Sequence, residues 1–278
     1  MTFRPEDHTF AVCAYGESPY LEACLESLRA QREKTNILIA TATPNPMIQR
    51  AGEKYGIPVR VNRGERGIGA DWNFALGAAG TPLVTLAHQD DLYDPGYAGA
   101  MLADLNRSRD PILWFCDYAE LRGEARETRN RNLRIKRAML LPLRIRRAQG
   151  SRWIRRRILS LGSPIGCPAV TYVTAKTGAD PFSTEMRVSL DWDQWERLSR
   201  KAGDFCYRPE VFMAHRVHAG SATTAMIADH RRGQEDLAMF RRFWPEPVAR
   251  FLQKRYARSE DQNQIGQDDQ HRKEENSA

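Results

Sequence analysis

The chain has 278 residues, 28% of them charged, and a formal net charge of +7, which is typical of one large or two modest folded domains. It contains no stretch of ~20 apolar residues, and its first residues lack the apolar run of a signal peptide. We therefore expect a cytoplasmic protein that does not span a membrane. The five cysteines are widely spaced without a CxxC motif, which argues against a disulfide framework or a zinc cluster and favours buried free thiols.

The positive charge is concentrated in one segment. Residues 122–157 contain fourteen Lys and Arg against two Glu and carry +12, whereas the rest of the chain carries −5. The sequence therefore predicts a mildly acidic body with one cationic patch, and this patch needs an explanation of its own.

Short apolar runs alternate with helical patterns over the first ~120 residues, which is the order of βαβ units around a mostly parallel sheet. The predicted strands are 10–14, 36–41, 58–62, 82–87 and 112–117, and the predicted helices begin near Pro19, Met47, Ala70 and Tyr97. Beyond the basic segment, the patterns predict a strand at 170–173, a Trp-rich helix at 190–202 and a strand at 211–217. The polar residues from about 257 onwards predict a disordered tail.

An acidic cluster directly follows the strand at 82–87. Asp90 and Asp91 would emerge at the carboxyl edge of the sheet, where ligands bind in open α/β folds. Adjacent carboxylates repel each other, and a divalent cation such as magnesium or manganese relieves that repulsion. We expect Asp94 to cap the next helix, which leaves Asp90 and Asp91 for metal or substrate.

Five pieces of the chain, in this order over about residues 8–225, resemble glycosyltransferase family 2. They are AVCAYGESPYLEACLESLRAQ, ILIATATPN, GIGADWNFALGAAGTPLVTLAHQDD, LDWDQW and HRVHAGSATT. The resemblance implies a GT-A fold, which is an α/β fold with a Rossmann-like, mostly parallel central sheet and flanking helices. It also implies inverting transfer from a nucleotide sugar, most commonly a UDP-sugar, with manganese or magnesium as cofactor and a role in polysaccharide biosynthesis.

The resemblance also assigns donor-binding positions. They are Ala14, Tyr15, Glu17, Thr41, Thr43, Asp71, Asn73, His88, Gln89 and Asp90. The chain departs from the family at three places: Thr41 and Thr43 replace acidic residues, Trp72 replaces an Arg, and His88 replaces the first Asp of the D-x-D signature. Tyr15 could instead be a core aromatic, and Asp71 could instead be a helix cap.

The metal and diphosphate positions follow from the same resemblance. Asp90, Asp91 and His218 are the expected metal ligands, and Arg216 is the expected diphosphate contact. Arg216 and His218 are two residues apart on a predicted strand and would share a face. Together with Ser221 and Thr223 they resemble a late R-x-H-x-x-S element of the family.

The helix at 190–202 is expected to carry the general base. Family members place an Asp at the start of such a helix, and Asp191 matches that position. An acceptor hydroxyl needs a carboxylate to take its proton as it attacks the anomeric carbon. Asp193 is the weaker candidate, and Asp191 could instead have a purely capping role.

The basic segment mixes cations with aliphatic residues and Trp153, a pattern typical of an element that lies on a membrane surface. We expect it to contact a glycan or lipid-linked acceptor, with peripheral binding at the inner face of the plasma membrane. It could instead be a solvated basic hairpin that covers the sheet. Nucleic-acid binding is disfavoured because aromatic residues are few. Two further functions are compatible with the sequence, those of a nucleotidyltransferase and of a degenerate nucleotide-sugar-binding protein.

These expectations divide the chain into four parts. Residues 1–121 are the predicted nucleotide-sugar-binding half, and 122–160 are the basic amphipathic segment. Residues 161–256 are the acceptor and catalytic half of the same domain, and 257–278 are the tail.

Overall fold

The structure is a computed structural model that describes residues 2–178, 181–218 and 231–257. The predicted tail beyond 257, and the predicted motif residues Ser221 and Thr223, lie outside the described residues. All five cysteines lie within them, and all five are free thiols, as the sequence predicts.

Nine strands form one mixed sheet. They are β1 (His8–Ala14), β2 (Asn36–Thr41), β3 (Val59–Val61), β4 (Leu83–His88), β5 (Leu92–Tyr93), β6 (Pro111–Arg122), β7 (Ala125–Glu127), β8 (Val170–Val173) and β9 (Asp204–Arg216). The spatial order is β3-β2-β1-β4-β8-β6-β9-β5, with β7 paired to the end of β6. Strands β3, β2, β1 and β4 are parallel to one another, whereas β8 is inserted antiparallel between β4 and β6.

The α-helices cover both faces of the sheet. They are α1 (Leu21–Arg29), α2 (Pro46–Tyr55), α3 (Ile68–Ala79), α4 (Tyr97–Leu105), α5 (Arg131–Leu140), α6 (Arg146–Gln149), α7 (Arg152–Leu159), α8 (Thr174–Thr177), α9 (Leu190–Ser199), α10 (Arg231–Arg241) and α11 (246–257). One apolar cluster packs α1, α2 and α4 on the sheet, and another packs α3, α7, α9 and α10 on it. Because β1 and β4 are covered on both sides, they are continuous apolar runs rather than alternating ones. The predicted mixed α/β fold is confirmed.

The basic segment contains β7 and, from Arg131 onwards, short helices, and it is part of the packed body. Leu140, Leu143, Ile158 and Leu159 are buried in the core on the α9 side of the sheet. In the described part of the chain, no helix is long and apolar enough to cross a bilayer.

Two expectations about where helices start were wrong, and two strands differ in length from their predicted bounds. Asp94 does not cap α4, whose N-cap is Gly96 and has no side-chain hydrogen bond. The carboxylate of Asp94 instead forms a bidentate pair with the Arg126 guanidinium at 2.7 Å. The first helix begins at Leu21 rather than Pro19, with Tyr20 at its N-cap. Strands β6 and β9 are longer than predicted because they pair with each other along most of their length, with bulges that the sequence pattern did not indicate.

Candidate active site

The turn after β4 gives its two carboxylates different environments. We expected both to emerge at the sheet edge, and for Asp91 this was wrong, because it is fully buried. Its Oδ1 accepts the backbone N–H of Arg216 at 2.8 Å and lies 3.0 Å from Nδ1 of His215, so the end of β9 covers it. Asp90 keeps an 18% exposed side chain and is the carboxylate that a ligand can reach.

The end of β9 lies directly over this turn. Nε2 of His218 lies 2.9 Å from Oδ2 of Asp90, and Nε of Arg216 donates to the carbonyl of Asp90 at 2.9 Å. The Tyr20 ring packs against both residues, with the Arg216 guanidinium 4.3 Å from its centroid and the His218 ring 5.0 Å away. The structure therefore brings together Asp90, Asp91, Arg216 and His218, as the predicted assignments require.

His88, Asp90 and Asp91 each offer a ligand atom within 4.8 Å of the others, a group that could hold a divalent cation. Nε2 of His88 and Oδ2 of Asp91 are buried and have no hydrogen-bond partner among the described residues. Burial lowers the pKa of His88 despite the neighbouring carboxylates, which favours the neutral ring that metals bind. Burial would raise the pKa of Asp90, but the hydrogen bond with His218 opposes this, and the pKa of Asp90 is lowered overall, which favours the anion. The residues present therefore fit a cation with mixed oxygen and nitrogen ligands.

The loop after β1 is tied to its neighbours by side chains. Gln89 bonds both the N–H and the carbonyl of Tyr15, at 3.1 and 3.0 Å. Oγ1 of Thr43 accepts the N–H of Gly16 at 2.7 Å, and Gly16 has a φ of +59°, which an L residue rarely adopts. The ring of Tyr15 is 68% exposed at the carboxyl edge of the sheet, so it is not a core aromatic.

The remaining donor-side assignments stay predictions, and the structure shows what each residue contacts. Ala14 and Thr41 are buried at the ends of β1 and β2, whereas Glu17 is exposed. Asp71 accepts a 2.8 Å bond from Asn62, and burial raises the pKa of Asp71. Asn73 is buried, and its amide group exchanges two bonds with the backbone of Phe182, at 2.8 and 2.9 Å. Both halves of that amide are thus occupied.

Trp72, at the position where the resemblance predicts an Arg, packs against His88. Its ring stacks on the His88 ring, with centroids 5.4 Å apart and planes 26° apart, and it meets Phe182 edge-on. The segment around Phe182 approaches α3 so closely that a Cβ on Gly69 would lie 2.1 Å from the carbonyl oxygen of Ser183. This close approach packs the segment around Phe182 against α3.

Asp191 lies in the first turn of α9 and is partly buried. Among the described residues no cation lies within ion-pair distance of it. Burial raises its pKa to about 6, although the Trp192 N–H and the charges of Lys136 and Arg232 oppose this rise. Burial raises the pKa of the Cys167 thiol, and the negative charges of Asp191 and Asp91 raise it further.

Asp193 has a different environment two residues further along α9. Its carboxylate is buried and pairs with Arg197 at 2.7 Å and with Arg242 at 2.6 Å. Glu196 is likewise buried and pairs with Arg156, Arg200 and Arg242. Of the acids on α9, Asp191 is therefore the one whose oxygens are not neutralised by a neighbouring arginine.

Both ends of α9 are fixed by charged side chains that sequence reasoning missed. The Glu235 carboxylate on α10 accepts the N–H groups of Arg187, Val188 and Ser189, at 2.8 to 2.9 Å, just before Asp191. At the other end, Arg155 donates to three backbone carbonyls, of Ser199, Lys201 and Gly203. No local pattern indicates these contacts, because each joins elements that are far apart in the chain.

The structure is thus an α/β protein with a Rossmann-like sheet and with a carboxylate and histidine cluster at the carboxyl end of a central strand, where open α/β sheets bind their ligands. The family model described as "Glycosyl transferase family 2" matches residues 9–161. The chain belongs to this family, and it is a nucleotide-sugar glycosyltransferase.

Solved structures have the same fold. TarS 1–349 from S. aureus is 14% identical, with a TM-score of 0.60 over 88% of this chain and 69% of that one. The mannosyltransferase PcManGT from Pyrobaculum calidifontis is 16% identical, with a TM-score of 0.60 over 92% of this chain and 70% of that one. A search of curated protein sequences found no match.

Proposed function

We propose that this protein transfers a sugar from a nucleoside-diphosphate donor to a hydroxyl of a glycan or lipid-linked acceptor, with inversion and with a divalent cation. The observation that carries the proposal is the presence of two acidic centres with different surroundings. One is the cluster of His88, Asp90 and Asp91, and the other is the carboxylate of Asp191, which has no ion pair among the described residues and a pKa raised by burial. Inverting transfer needs both, one for the diphosphate and one for the acceptor proton.

The donor side is proposed to lie over the carboxyl ends of β1, β2 and β4. The exposed Tyr15 ring and Glu17 would hold the base and ribose, and Thr43 and Gln89 keep their loop in place. TarS 1–349 has been crystallised with UDP-GlcNAc, and PcManGT with GDP-Man and Mn²⁺. These complexes support a nucleotide sugar as donor, and we favour UDP because it is the commonest donor of the family.

The diphosphate is proposed to meet Asp90 through the cation. The side chains of His88, Asp90 and Asp91 would hold the cation, with His218 beside Asp90 as a further ligand. A bound divalent cation neutralises the charge that develops on the leaving diphosphate. Arg216 is fixed by the Asp90 carbonyl and the Tyr20 ring, so its proposed part is to place positive charge beside this site.

Asp191 is proposed to be the general base. The acceptor oxygen attacks the anomeric carbon from the face opposite the diphosphate, and its proton passes to the Asp191 carboxylate. The new carbon–oxygen bond forms as the bond to the diphosphate oxygen breaks, and the nucleoside diphosphate leaves with the electron pair. A base with a pKa of about 6 is ionised at neutral pH and still basic enough to accept this proton.

The experiment that tests the proposal is a thermal-shift screen of UDP- and GDP-sugars with and without manganese. Donors that bind should raise the melting temperature in the presence of the cation, and the best donor should then be hydrolysed slowly to the nucleoside diphosphate. If no nucleotide sugar stabilises the protein, the catalytic proposal is wrong. Binding without any turnover would favour a degenerate nucleotide-sugar-binding protein.

The acceptor is proposed to approach from the basic segment, which lies between the two predicted halves of the domain. A lipid-linked acceptor would bring the enzyme to the inner face of the plasma membrane, as the sequence predicts. Polysaccharide biosynthesis is the proposed biological context for such an acceptor.

A further inference from the structure

Exposed apolar side chains are concentrated in one region. Eight large apolar residues of the described chain are exposed, and five of them fall between residues 135 and 161. These five are Ile135, Leu141, Ile145, Trp153 and Leu161. Single exposed apolar residues are ordinary, but a cluster of them in a short, highly charged stretch indicates a contact surface.

Residues 141–153, which we call the ridge, have some side chains buried in the body of the protein and others exposed to solvent. Leu143, Ala148 and Gln149 are buried, and Nε2 of Gln149 donates to the carbonyl of Leu143 at 2.8 Å. Leu141, Ile145 and Trp153 are instead 52%, 66% and 69% exposed. The exposed side chains of the ridge can therefore be substituted without changing the buried residues that hold it in place.

The cations of the ridge also point outward. Arg144, Arg147 and Arg152 are exposed, and none of them has an ion pair among the described residues. Arg155 and Arg156, a few residues on, are instead bound to the carbonyls at the end of α9 and to Glu196. No Asp or Glu occurs between Glu127 and Asp180 in the sequence. The ridge therefore presents exposed arginines without an ion-pair partner among the described residues, beside large apolar side chains.

We propose that the ridge binds an anionic lipid bilayer, with Leu141, Ile145 and Trp153 inserted at the headgroup boundary and Arg144, Arg147 and Arg152 on the lipid phosphates. Its biological use rests on the proposed function, because a lipid-linked acceptor is displayed at such a surface. The charge attracts acidic headgroups, and the apolar side chains gain by leaving water, so both contributions point to the same partner. A nucleic acid would satisfy the arginines but leave Leu141 and Ile145 in water.

The test is co-sedimentation of the full chain with vesicles of phosphatidylcholine alone or with about 30% phosphatidylglycerol. The wild type should bind the anionic vesicles and lose most of this binding as salt rises from about 0.1 to about 0.5 M. The triple variant Arg144→Gln, Arg147→Gln, Arg152→Gln should bind about 100-fold more weakly, at about five-fold per cation. The double variant Ile145→Ser, Trp153→Ser should lose about tenfold or more.

The matched control is Arg32→Gln, Arg50→Gln, Arg60→Gln, which removes three exposed arginines from other parts of the surface. It should bind vesicles like the wild type, and all variants should keep the wild-type melting temperature because the changed side chains are exposed. The inference is overturned if the wild type ignores anionic vesicles, or if the control loses as much binding as the ridge variants. It is also overturned if a short DNA duplex binds the ridge more tightly than the vesicles do. Donor binding, measured separately by thermal shift, reports on the proposed function and not on the ridge.

Discussion

Nε2 of His218 lies 2.9 Å from Oδ2 of Asp90, which joins the end of β9 to the turn after β4. The side chain of Asp90 is therefore oriented by a histidine. The Tyr20 ring packs against the His218 imidazole, with the ring centroids 5.0 Å apart. A substitution at Asp90 is therefore the most direct test of the cation site.

Asp90→Asn should abolish the manganese-dependent rise in melting temperature caused by UDP or a UDP-sugar, because an amide cannot neutralise the cation. The fold should persist, since the Asp90 side chain is partly exposed and Asn retains an oxygen for His218. Asp94→Asn is the matched control, four residues along the chain and paired with Arg126 instead. Full metal-linked stabilisation in Asp90→Asn would show that the cluster is not the cation site.

Asp191→Asn should lower turnover by about 10²–10⁴ while donor affinity stays the same, because only the proton acceptor is lost. Its melting temperature near pH 8 should be equal to or above that of the wild type, since a partly buried charge is removed. Steady-state kinetics measure the change in turnover, and thermal melts measure the change in melting temperature. Retention of near wild-type turnover would place the base elsewhere.

Asp193→Asn is the matched comparison on the same helix, and its effect should be on stability. The change leaves Arg197 and Arg242 without their shared carboxylate, and both guanidiniums are partly exposed. We expect a loss of about 1–3 kcal/mol in the free energy of unfolding, measured by urea denaturation. Near-normal turnover of the folded variant is expected, and an inactive but stable Asp193→Asn would identify Asp193 as the base.

The pH dependence of turnover should follow Asp191. Burial raises its pKa to about 6, so the carboxylate is ionised above that pH and protonated below it. Turnover should fall about tenfold per pH unit below about pH 6, because a protonated carboxyl cannot take the acceptor proton. The residual activity of Asp191→Asn should lack this inflection. The folded protein binds this proton more tightly than the unfolded chain, so the group's contribution to stability is present below about pH 4 and lost as pH rises through about 6.

Glu235→Gln should lower both stability and turnover without changing donor affinity. The Glu235 carboxylate accepts three N–H groups at the start of α9, and its charge complements the positive end of that helix. The loss should be about 1–3 kcal/mol in unfolding free energy. A fall in kcat without a change in donor affinity would mark Glu235 as a positioning residue for Asp191. Gln234→Ala, the exposed neighbour on α10, is the control and should change neither quantity.

The sequence by itself indicated the alternation of strands and helices over the first ~120 residues and therefore the α/β class of the fold. β2 and β8 have the predicted boundaries, since short apolar runs rich in β-branched residues between turn residues favour buried strands. The acidic cluster could be placed as well, because a residue that follows such a strand must lie at the carboxyl edge of the sheet. These features depend on a residue's immediate neighbours.

Only the tertiary structure decided which acids lack an ion pair and which arginines are exposed to solvent. Asp191 and Asp193 lie in one turn of α9, yet of these two acids Arg242, which follows α10, pairs with Asp193 and not with Asp191. In the basic segment, Arg155 is buried at the end of α9, whereas Arg152 points to solvent one turn earlier. The physical reason is that the ionisation and exposure of a side chain depend on charges and packing supplied by elements distant in the chain. A pattern of neighbouring residues in the sequence does not indicate which distant residues these partners are.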